Sequence, residues 1–391
     1  MGGNPSQRSF ILFDGDTPAL RTLELTDCPV PLHSFKPSGL TTLNLLRVPA
    51  WVQQNMVEFL ATLSYMPDLT CLYLEDALAS AAGYLSSSAF KKINLPHLSR
   101  LLIVAPLSTV ITLLSCVNIP LKTEVRLRCD SEHDSSPDDY TLLSLVLAQR
   151  FGTSKDQARP SPTIRSLVAE FAAWGEVKLT FSGSARDCDS FGSISPWHWG
   201  CNIPLKIIVD SGPSMMTGDG DHIISGICCS IPLTNVQSLH VIDPLFPPVF
   251  WRKMLGHLPD LRYIKLSDGN MPDLASVLSV PDLTAHEGVE NQGGHATSDR
   301  DQDRILVSRL DELELYRITF SPGGDSDMPD LAITRRCLFD ALSTRNAPQG
   351  RLTMTQCDTD SSNLSDAVRS WDEPVGENDS DSLEGGVSDF D

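Results

Sequence analysis

The sequence predicts an α/β fold, an irregular leucine-rich-repeat-like solenoid in which a curved, mostly parallel sheet carries helices on its outer face. Three observations predict it. Short segments with leucine-like residues at positions 1, 4 and 6 recur along the chain, as in "LRTLEL". Their first intervals are 20, 29 and 29 residues, within the range of leucine-rich repeats. Helical patterns fill most gaps between the copies.

The copies alternate apolar and polar residues over the length of a strand, which predicts strands with one buried face. The first four begin at residues 20, 40, 69 and 98, and further clear copies begin at 236, 261 and 310. Weaker copies begin at 123, 175 and 205, and the last, "RLTMTQC", ends at Cys357. Because one such unit cannot bury its own apolar face, the units are expected to stack on one another.

Between the strands, apolar residues recur at helical spacing. In "WVQQNMVEFLATL", for example, Val52, Met56, Phe59, Leu60 and Leu63 share one helical face. The segment 163–174 follows Pro162 and ends before Gly175, which are helix start and stop signals. Helices are therefore predicted at 51–63, 109–117, 140–151, 163–174, 249–258 and 335–345.

The predicted domain organisation is one repeat region between two short ends. Residues 1–17 form a short N-terminal segment, residues 18–358 the solenoid, and residues 359–391 a disordered acidic tail. From Asp358 onward there are eleven acidic residues and one arginine, a composition typical of disorder. Polar insertions are expected to interrupt the solenoid near 130–139, 153–162, 183–200 and 285–304.

The composition disfavours several classes of partner. A net charge of −20 argues against binding to nucleic acid through the phosphate backbone and against a polybasic membrane anchor. The segment Met1-Gly2 to Ser6 fits an N-myristoylation rule, but no basic cluster accompanies it, so a membrane anchor at Gly2 is not favoured. The ten scattered cysteines form no Cys-x-x-Cys pair and predict reduced thiols, hence a cytoplasmic or nuclear protein. We expect a monomer.

Several stretches together resemble fungal F-box-associated leucine-rich-repeat proteins. They are "FDGDTPALRTLELTDCPVP", "MPDLTCLYLEDAL", "LPHLSRLLIVAPLSTVITLLS", "LPDLRYIKLSDG", "LDELELYRITF" and "CLFDALSTRNAP" leading into "RLTMTQC". The resemblance implies the substrate-recognition part of a cullin-type ubiquitin ligase, whose F-box docks on the adaptor Skp1. The repeats here begin at Leu20, and nineteen residues cannot hold an F-box. Skp1 is therefore expected as a partner only if an F-box lies upstream.

Chemical motifs give one enzymatic alternative. Asp210-Ser211-Gly212 follows an apolar run and resembles the active-site loop of an aspartic-type hydrolase, which needs a second carboxylate about 3 Å away. The chain has no second Asp-Ser/Thr-Gly segment, and a strand ending in a turn is the simpler interpretation. A non-functional receptor remnant is a further alternative.

No cofactor or metal is predicted. "WHWGC" places a histidine near Cys201, but a zinc site needs four ligands, and the nearby Cys228 and Cys229 are adjacent in sequence. Trp197 and Trp199 in that segment suit a contact surface better.

The predicted function is accordingly a non-enzymatic scaffold that binds a protein partner on the concave face of its sheet. The candidate contact residues are those in the outward register of the strands, together with the two tryptophans. They are Arg21, Thr22, Glu24, Thr42, Asn44, Tyr73, Tyr263, Lys265, Trp197 and Trp199.

Overall fold

The computed structural model of the chain has an α/β architecture built on one large, mostly parallel sheet of 12 strands. It describes residues 19–29, 38–50, 52–80, 92–130, 137–151, 163–171, 176–183, 205–210, 226–242, 248–270, 310–319 and 351–357.

The strands follow the recurring leucine segments. Each large-sheet strand alternates apolar residues that enter the core with residues on the opposite face, as the period of two requires. The strands are β1 (Thr22–Thr26), β2 (Thr42–Leu46), β3 (Cys71–Glu75), β4 (Ile93–Asn94), β5 (Arg100–Pro106), β6 (Val117–Asn118), β7 (Glu124–Asp130), β8 (Ser166–Phe171), β9 (Glu176–Ser182), β10 (Leu205–Asp210), β11 (Ser238–Ile242), β12 (Tyr263–Asn270), β13 (Glu312–Thr319) and β14 (Arg351–Thr355).

The order of strands in the large sheet is β1-β2-β3-β5-β7-β10-β9-β8-β11-β12-β13-β14. Within it, β9 is antiparallel to both of its neighbours, and every other described pairing is parallel. Chain order and sheet order agree on either side of β8, β9 and β10 and are reversed within this group. The short strands β4 and β6 form a separate two-stranded sheet.

The entrances of successive strands repeat one hydrogen-bond pattern. The hydroxyl of Thr41 donates to the Arg21 carbonyl, that of Thr70 to the Thr41 carbonyl, and that of Ser99 to the Thr70 carbonyl, at 2.9, 3.0 and 2.9 Å. The same three carbonyls each accept two consecutive backbone N–H groups of the next unit. The backbone part of this pattern recurs in the C-terminal half. The Gln237 carbonyl accepts the N–H groups of residues 262 and 263, and the Arg262 carbonyl accepts those of residues 311 and 312.

The exits of the strands are also alike. The residue that follows β1, β2 and β3 has a positive φ, at Asp27, Arg47 and Asp76. Each of these donates its backbone N–H to a carbonyl of the next strand in the sheet. Positive φ recurs at Asp268, Arg317 and Gln356, within or after β12 to β14. The backbone geometry at both ends of the strands is therefore repeated from one unit to the next.

The helices pack their apolar side chains into the same core as the apolar face of the sheet. Asn55 caps the first helix by accepting a hydrogen bond from the Glu58 N–H at 2.9 Å. The largest fully buried side chains of the core include Trp251, Phe59 and Phe151. The helices are α1 (Met56–Leu63), α2 (Leu107–Cys116), α3 (Pro137–Phe151), α4 (226–230) and α5 (Pro248–Gly256).

The predicted helix at 163–174 is wrong, because this segment contains strand β8. Its apolar residues also fit a period of two: Leu167 and Ala169 enter the core, whereas Ser166 and Val168 lie on the other face. Pairing with β9 and β11 on its two sides decides between the two patterns. The helices predicted near 51–63, 109–117, 140–151 and 249–258 are confirmed with shifted ends, and 335–345 lies outside the described residues.

Cys116 and Cys129 are buried, whereas Cys28 and Cys71 are half-buried. Within the residues described, no helix combines the length and the apolar character needed to cross a membrane.

Candidate functional site

The face of the large sheet opposite the core, here called the polar face, carries rows of side chains in continuous register. One row crosses every strand of the sheet, and we call it the middle row. In sheet order it consists of Glu24, Asn44, Tyr73, Leu102, Arg126, Lys206, Thr180, Val168, His240, Lys265, Glu314 and Thr353.

Burial divides this row into three parts. The first three residues, on β1 to β3, are exposed or half-buried, as are the last three, on β12 to β14. The six residues between them, on β5, β7, β10, β9, β8 and β11, are all buried. The two ends of the polar face are therefore accessible to a partner, and its centre is enclosed.

The candidate residues on the first strands lie where the register predicts, with one exception. Thr22, Glu24, Thr42 and Asn44 are on the polar face and are exposed or half-buried. Arg21 lies before β1, and its Nη1 donates to the Gly39 carbonyl at 2.8 Å. Arg21 thus holds the loop before β2 and is not part of a strand.

Tyr73 combines an accessible ring with a fixed hydroxyl. Its OH donates to Glu75 Oε2 at 3.0 Å on the same strand, and the ring is half-buried. Burial, followed by the hydrogen bond to Glu75, raises the pKa of Tyr73 well above its usual range. The side chain therefore remains a neutral aromatic with a polar tip, a type enriched in protein interfaces.

Tyr263 and Lys265 converge on one carboxylate. Tyr263 donates its hydroxyl to Glu314 Oε2, and Lys265 Nζ lies 3.1 Å from Glu314 Oε1. All three residues are half-buried on the polar face of β12 and β13. Glu314 thus orients two candidate residues. It was not among the contact residues predicted from the sequence, although it lies in the outward register of "LDELEL".

The enclosed centre holds a cluster of charged residues that sequence reasoning also missed. Arg126 is 4% exposed and its Nη2 lies 2.8 Å from Glu124 Oε1. Lys178 forms an ion pair with Glu170 across the antiparallel pair β8 and β9. Lys206 lies between these two pairs on β10. The alternation of apolar and polar residues in the weaker copies at 123, 175 and 205 could have predicted that these cations lie on one face of the sheet.

The residues of the two chemical alternatives are described only in part. Asp210 is the last residue of β10, and its Cα partners on the neighbouring strands are Asp130 and Glu176. Asp130 forms an ion pair with Arg128 at 3.5 Å. Ser211, Gly212, Trp197, Trp199 and Cys201 lie outside the described residues. Within the described part of the chain, no three His, Cys, Asp or Glu residues are grouped so that they could hold a metal ion.

Two pairs of potentially reactive side chains lie near β11 and β12. Nε2 of His240 is 2.8 Å from the hydroxyl of Ser267, and both residues are buried on the polar face. Nε2 of His257 is 3.1 Å from the exposed thiol of Cys229. Burial lowers the pKa of His257, which favours its neutral form.

Comparison with known proteins adds no assignment to this geometry, since no family model and no curated protein matches the chain.

Proposed function

We propose that this chain is a non-enzymatic protein-interaction scaffold, a leucine-rich-repeat-like solenoid that binds a partner on the polar face of its sheet. The observation that carries the proposal is the middle row, which keeps one register through all 12 strands of the sheet. At the usual strand spacing the whole row measures about 50 Å, and its accessible parts, on β1 to β3 and on β12 to β14, lie at its two ends. Such open sheet surfaces suit a protein partner better than a small molecule, which binds in a closed pocket.

Repetition of the backbone geometry supports the solenoid part of the proposal. Thr41, Thr70 and Ser99 form one ladder of hydroxyl bonds at the strand entrances, and positive φ recurs at the exits. Stacked repeats produce such ladders, because each unit satisfies the polar groups of the previous one. In a solenoid the polar face would be the concave surface.

The chemistry of the accessible ends supports a protein partner. Tyr73 and Tyr263 present aromatic rings whose hydroxyls are held by Glu75 and Glu314. Rigid aromatic side chains in a polar surround bind proteins at low cost in conformational entropy. Lys265 is paired with the carboxylate of Glu314, and the net charge of the chain is −20. Both disfavour nucleic acid as the partner.

Photo-crosslinking from single positions tests this proposal. The photoreactive residue p-benzoylphenylalanine would replace Glu24 or Tyr73 on the polar face and, as a matched control, Val57, which is 49% exposed on α1. We expect the two polar-face positions to crosslink the same protein in cells and Val57 not to crosslink it. Equal crosslinking from Val57, or no specific product from either polar-face position, would contradict the proposal.

We further propose that the bound protein is a ubiquitination substrate, and that the chain is the substrate-recognition part of a cullin-type ubiquitin ligase receptor. The support is the resemblance of the repeat segments alone. If an F-box lies upstream, the expected result is co-purification of Skp1 with the chain, together with increased turnover of the crosslinked protein when the chain is overproduced. If the chain binds its partner without Skp1 and without altering turnover, the scaffold proposal stands and the ligase proposal fails.

The hydrolase alternative makes a separate prediction. If Asp210 were catalytic, the purified chain would cleave members of a general peptide library and Asp210→Ala would abolish that cleavage. The matched control is Asp68→Ala, which removes an exposed aspartate that lies before β3 and is not on β10 or its neighbouring strands. Cleavage that Asp210→Ala abolishes would replace the scaffold proposal with the hydrolase.

A further inference from the structure

Cys229 combines an accessible thiol with an acceptor for its proton. Among the cysteines that the structure describes, it alone is exposed. Its Sγ lies 3.1 Å from Nε2 of His257, which is 28 residues further along the chain. A cysteine is nucleophilic as its thiolate, so access to solvent and an adjacent base are the two conditions that favour its reaction.

Core packing holds the two side chains together. Cys229 lies on α4, directly after the buried Cys228, and His257 follows α5, directly before the buried Leu258. The backbone N–H of His257 donates to the Met254 carbonyl at 3.1 Å. Because buried neighbours anchor both segments in the same core, the contact between thiol and imidazole is fixed by the fold.

The imidazole is in the form that this contact needs. Burial lowers the pKa of His257, so the ring is uncharged at neutral pH. A neutral imidazole with its proton on Nδ1 leaves Nε2 as an acceptor for the thiol hydrogen. His257 can therefore take the proton of Cys229 while the sulfur attacks, and the thiolate and imidazolium that form attract each other.

The other described cysteines are less accessible than Cys229. Burial raises the pKa of four of them, which are Cys71, Cys116, Cys129 and Cys228. The other two, Cys28 and Cys357, are half-buried, and the thiol of Cys357 donates to the Leu315 carbonyl at 3.4 Å. A reagent that reacts with thiols should therefore select Cys229 over these six.

We propose that Cys229 is a covalent modification site for carbon electrophiles of the α,β-unsaturated carbonyl class. The sulfur forms a bond to the β-carbon as the thiol proton passes to Nε2 of His257. The electrons of the C=C bond move to the carbonyl oxygen as an enolate, and the imidazolium returns the proton to the α-carbon. The product is a thioether, formed without an oxidant and without a leaving group.

The class of electrophile follows from the accessibility of the thiol. Addition to a conjugated double bond needs a polarizable sulfur and one base, and it does not need an enclosed pocket. The site lies on the helix side of the sheet, whereas the proposed partner surface is the polar face. Modification of Cys229 is therefore independent of the proposed scaffold function and goes beyond it.

Competitive labelling of the intact wild-type chain with N-ethylmaleimide tests the inference. The reagent is added below one equivalent at pH 7.0, and the modification of each cysteine is followed over time by mass spectrometry of its peptide. We expect Cys229 to react about tenfold faster or more than Cys28 and Cys357. Equal rates at the three positions would overturn the inference.

His257→Gln removes the base, and Lys253→Gln places the same side chain at an exposed position of α5 as the matched control. At pH 7.0 we expect His257→Gln to slow labelling of Cys229 about tenfold or more, and Lys253→Gln to leave it unchanged. At pH 10, above the ordinary thiol pKa of about 8.5, a thiol ionises without a base, so both variants should react equally.

An unchanged rate in His257→Gln at pH 7.0 would overturn the role of the base. A loss that persists at pH 10 would also overturn it, because lost access to the thiol and not lost proton transfer would then explain the slower reaction. The buried Cys116 reports on folding and should stay unlabelled in both variants. If it becomes labelled in His257→Gln, that variant has unfolded, and the wild-type comparison decides the inference.

Discussion

The first three strands and the central strands share one register but differ in how their polar face meets solvent. On β1, β2 and β3 the residues of this face are exposed or half-buried, in strict alternation with core leucines. On β7, β10, β9, β8 and β11 the middle row is as buried as the core itself, with Thr180 3% and Val168 4% exposed.

This difference shows how one repeating pattern serves two environments. Where the polar face is accessible, it carries Thr, Asn, Tyr and Glu, which solvent satisfies. Where it is enclosed, apolar residues such as Leu102, Val168 and Ile208 enter the same rows, and charges occur mainly as pairs. An enclosed sheet face tolerates charge at low cost only when each charged group has a partner.

The largest expected difference in the free energy of unfolding is between a carboxylate added to the enclosed part of the polar face and one added to its accessible part. Val168→Glu places an unpaired carboxylate on the enclosed part of the middle row and should lower the free energy of unfolding by about 3–5 kcal/mol, the cost of a strongly shifted carboxyl pKa. Thr42→Glu adds the same group on β2, where the face is half-buried. Urea titration of both variants measures the difference.

Thr42→Glu should change the free energy of unfolding by less than about 0.5 kcal/mol, as is usual for surface substitutions. Equal losses in the two variants would mean that the ends and the centre of the polar face do not differ in solvation, and the comparison would fail.

The next effect concerns ion pairs. Glu124→Gln removes the negative charge beside Arg126, whose side chain is 5% exposed, and should cost about 3 kcal/mol because a buried guanidinium loses a charged partner at 2.8 Å. The matched change in an exposed pair is Asp268→Asn, which loses a contact of 3.3 Å to Arg317. Both side chains of that pair are about half exposed, so its loss should cost less than about 1 kcal/mol.

Denaturant unfolding at two salt concentrations distinguishes these two pairs further. Added salt should reduce the small effect of Asp268→Asn and leave that of Glu124→Gln nearly unchanged, since enclosed charges are screened less. A larger loss from Asp268→Asn than from Glu124→Gln would contradict the contrast between the enclosed and accessible pairs.

The smallest effect is a pH dependence due to Lys206. Its pKa in the folded chain is about 8, below the ordinary value of 10.5, so the unfolded chain binds more protons between these values. Stability of the wild type relative to Lys206→Met should therefore rise as the pH increases from 8 to 10.5, by about 2 kcal/mol with allowance for solvent screening.

Below pH 8 the amine is protonated in both states and its desolvation cost is fully present, so Lys206→Met should be the more stable protein there. Parallel stability curves for the two proteins across this range would show that Lys206 is not desolvated. The comparison is made with unfolding curves of both proteins at matched ionic strength.

Much of the sheet was predictable from the sequence, because leucines at positions 1, 4 and 6 define both the strand and its buried side. The register of Leu23, Leu43, Leu72 and Leu101 across β1, β2, β3 and β5 follows from this pattern. The polar-face candidates Thr42, Asn44 and Tyr73 follow from the same alternation. Arg21 did not, since its local pattern does not reveal that its side chain holds the loop at Gly39.

The segment around Leu167 shows why the central strands were harder. Its apolar residues fit a helix as well as a strand, and proline and glycine bound it at both ends. Only its neighbours β9 and β11, which are distant from each other in sequence, satisfy its backbone as a strand. Arg126, Lys178 and Lys206 were not singled out because each lies in a weak copy of the pattern, and nothing local brings them together.

The sequence by itself determined which residues form most strands and which side of each strand enters the core, because both depend on a period of two within a few residues. The tertiary structure alone decided the central order β7-β10-β9-β8-β11 and the enclosure of the middle row there. Both depend on contacts between segments far apart in the chain, and a local sequence pattern does not predict the energy of such contacts. The burial of Lys206 next to Arg126 results from that arrangement.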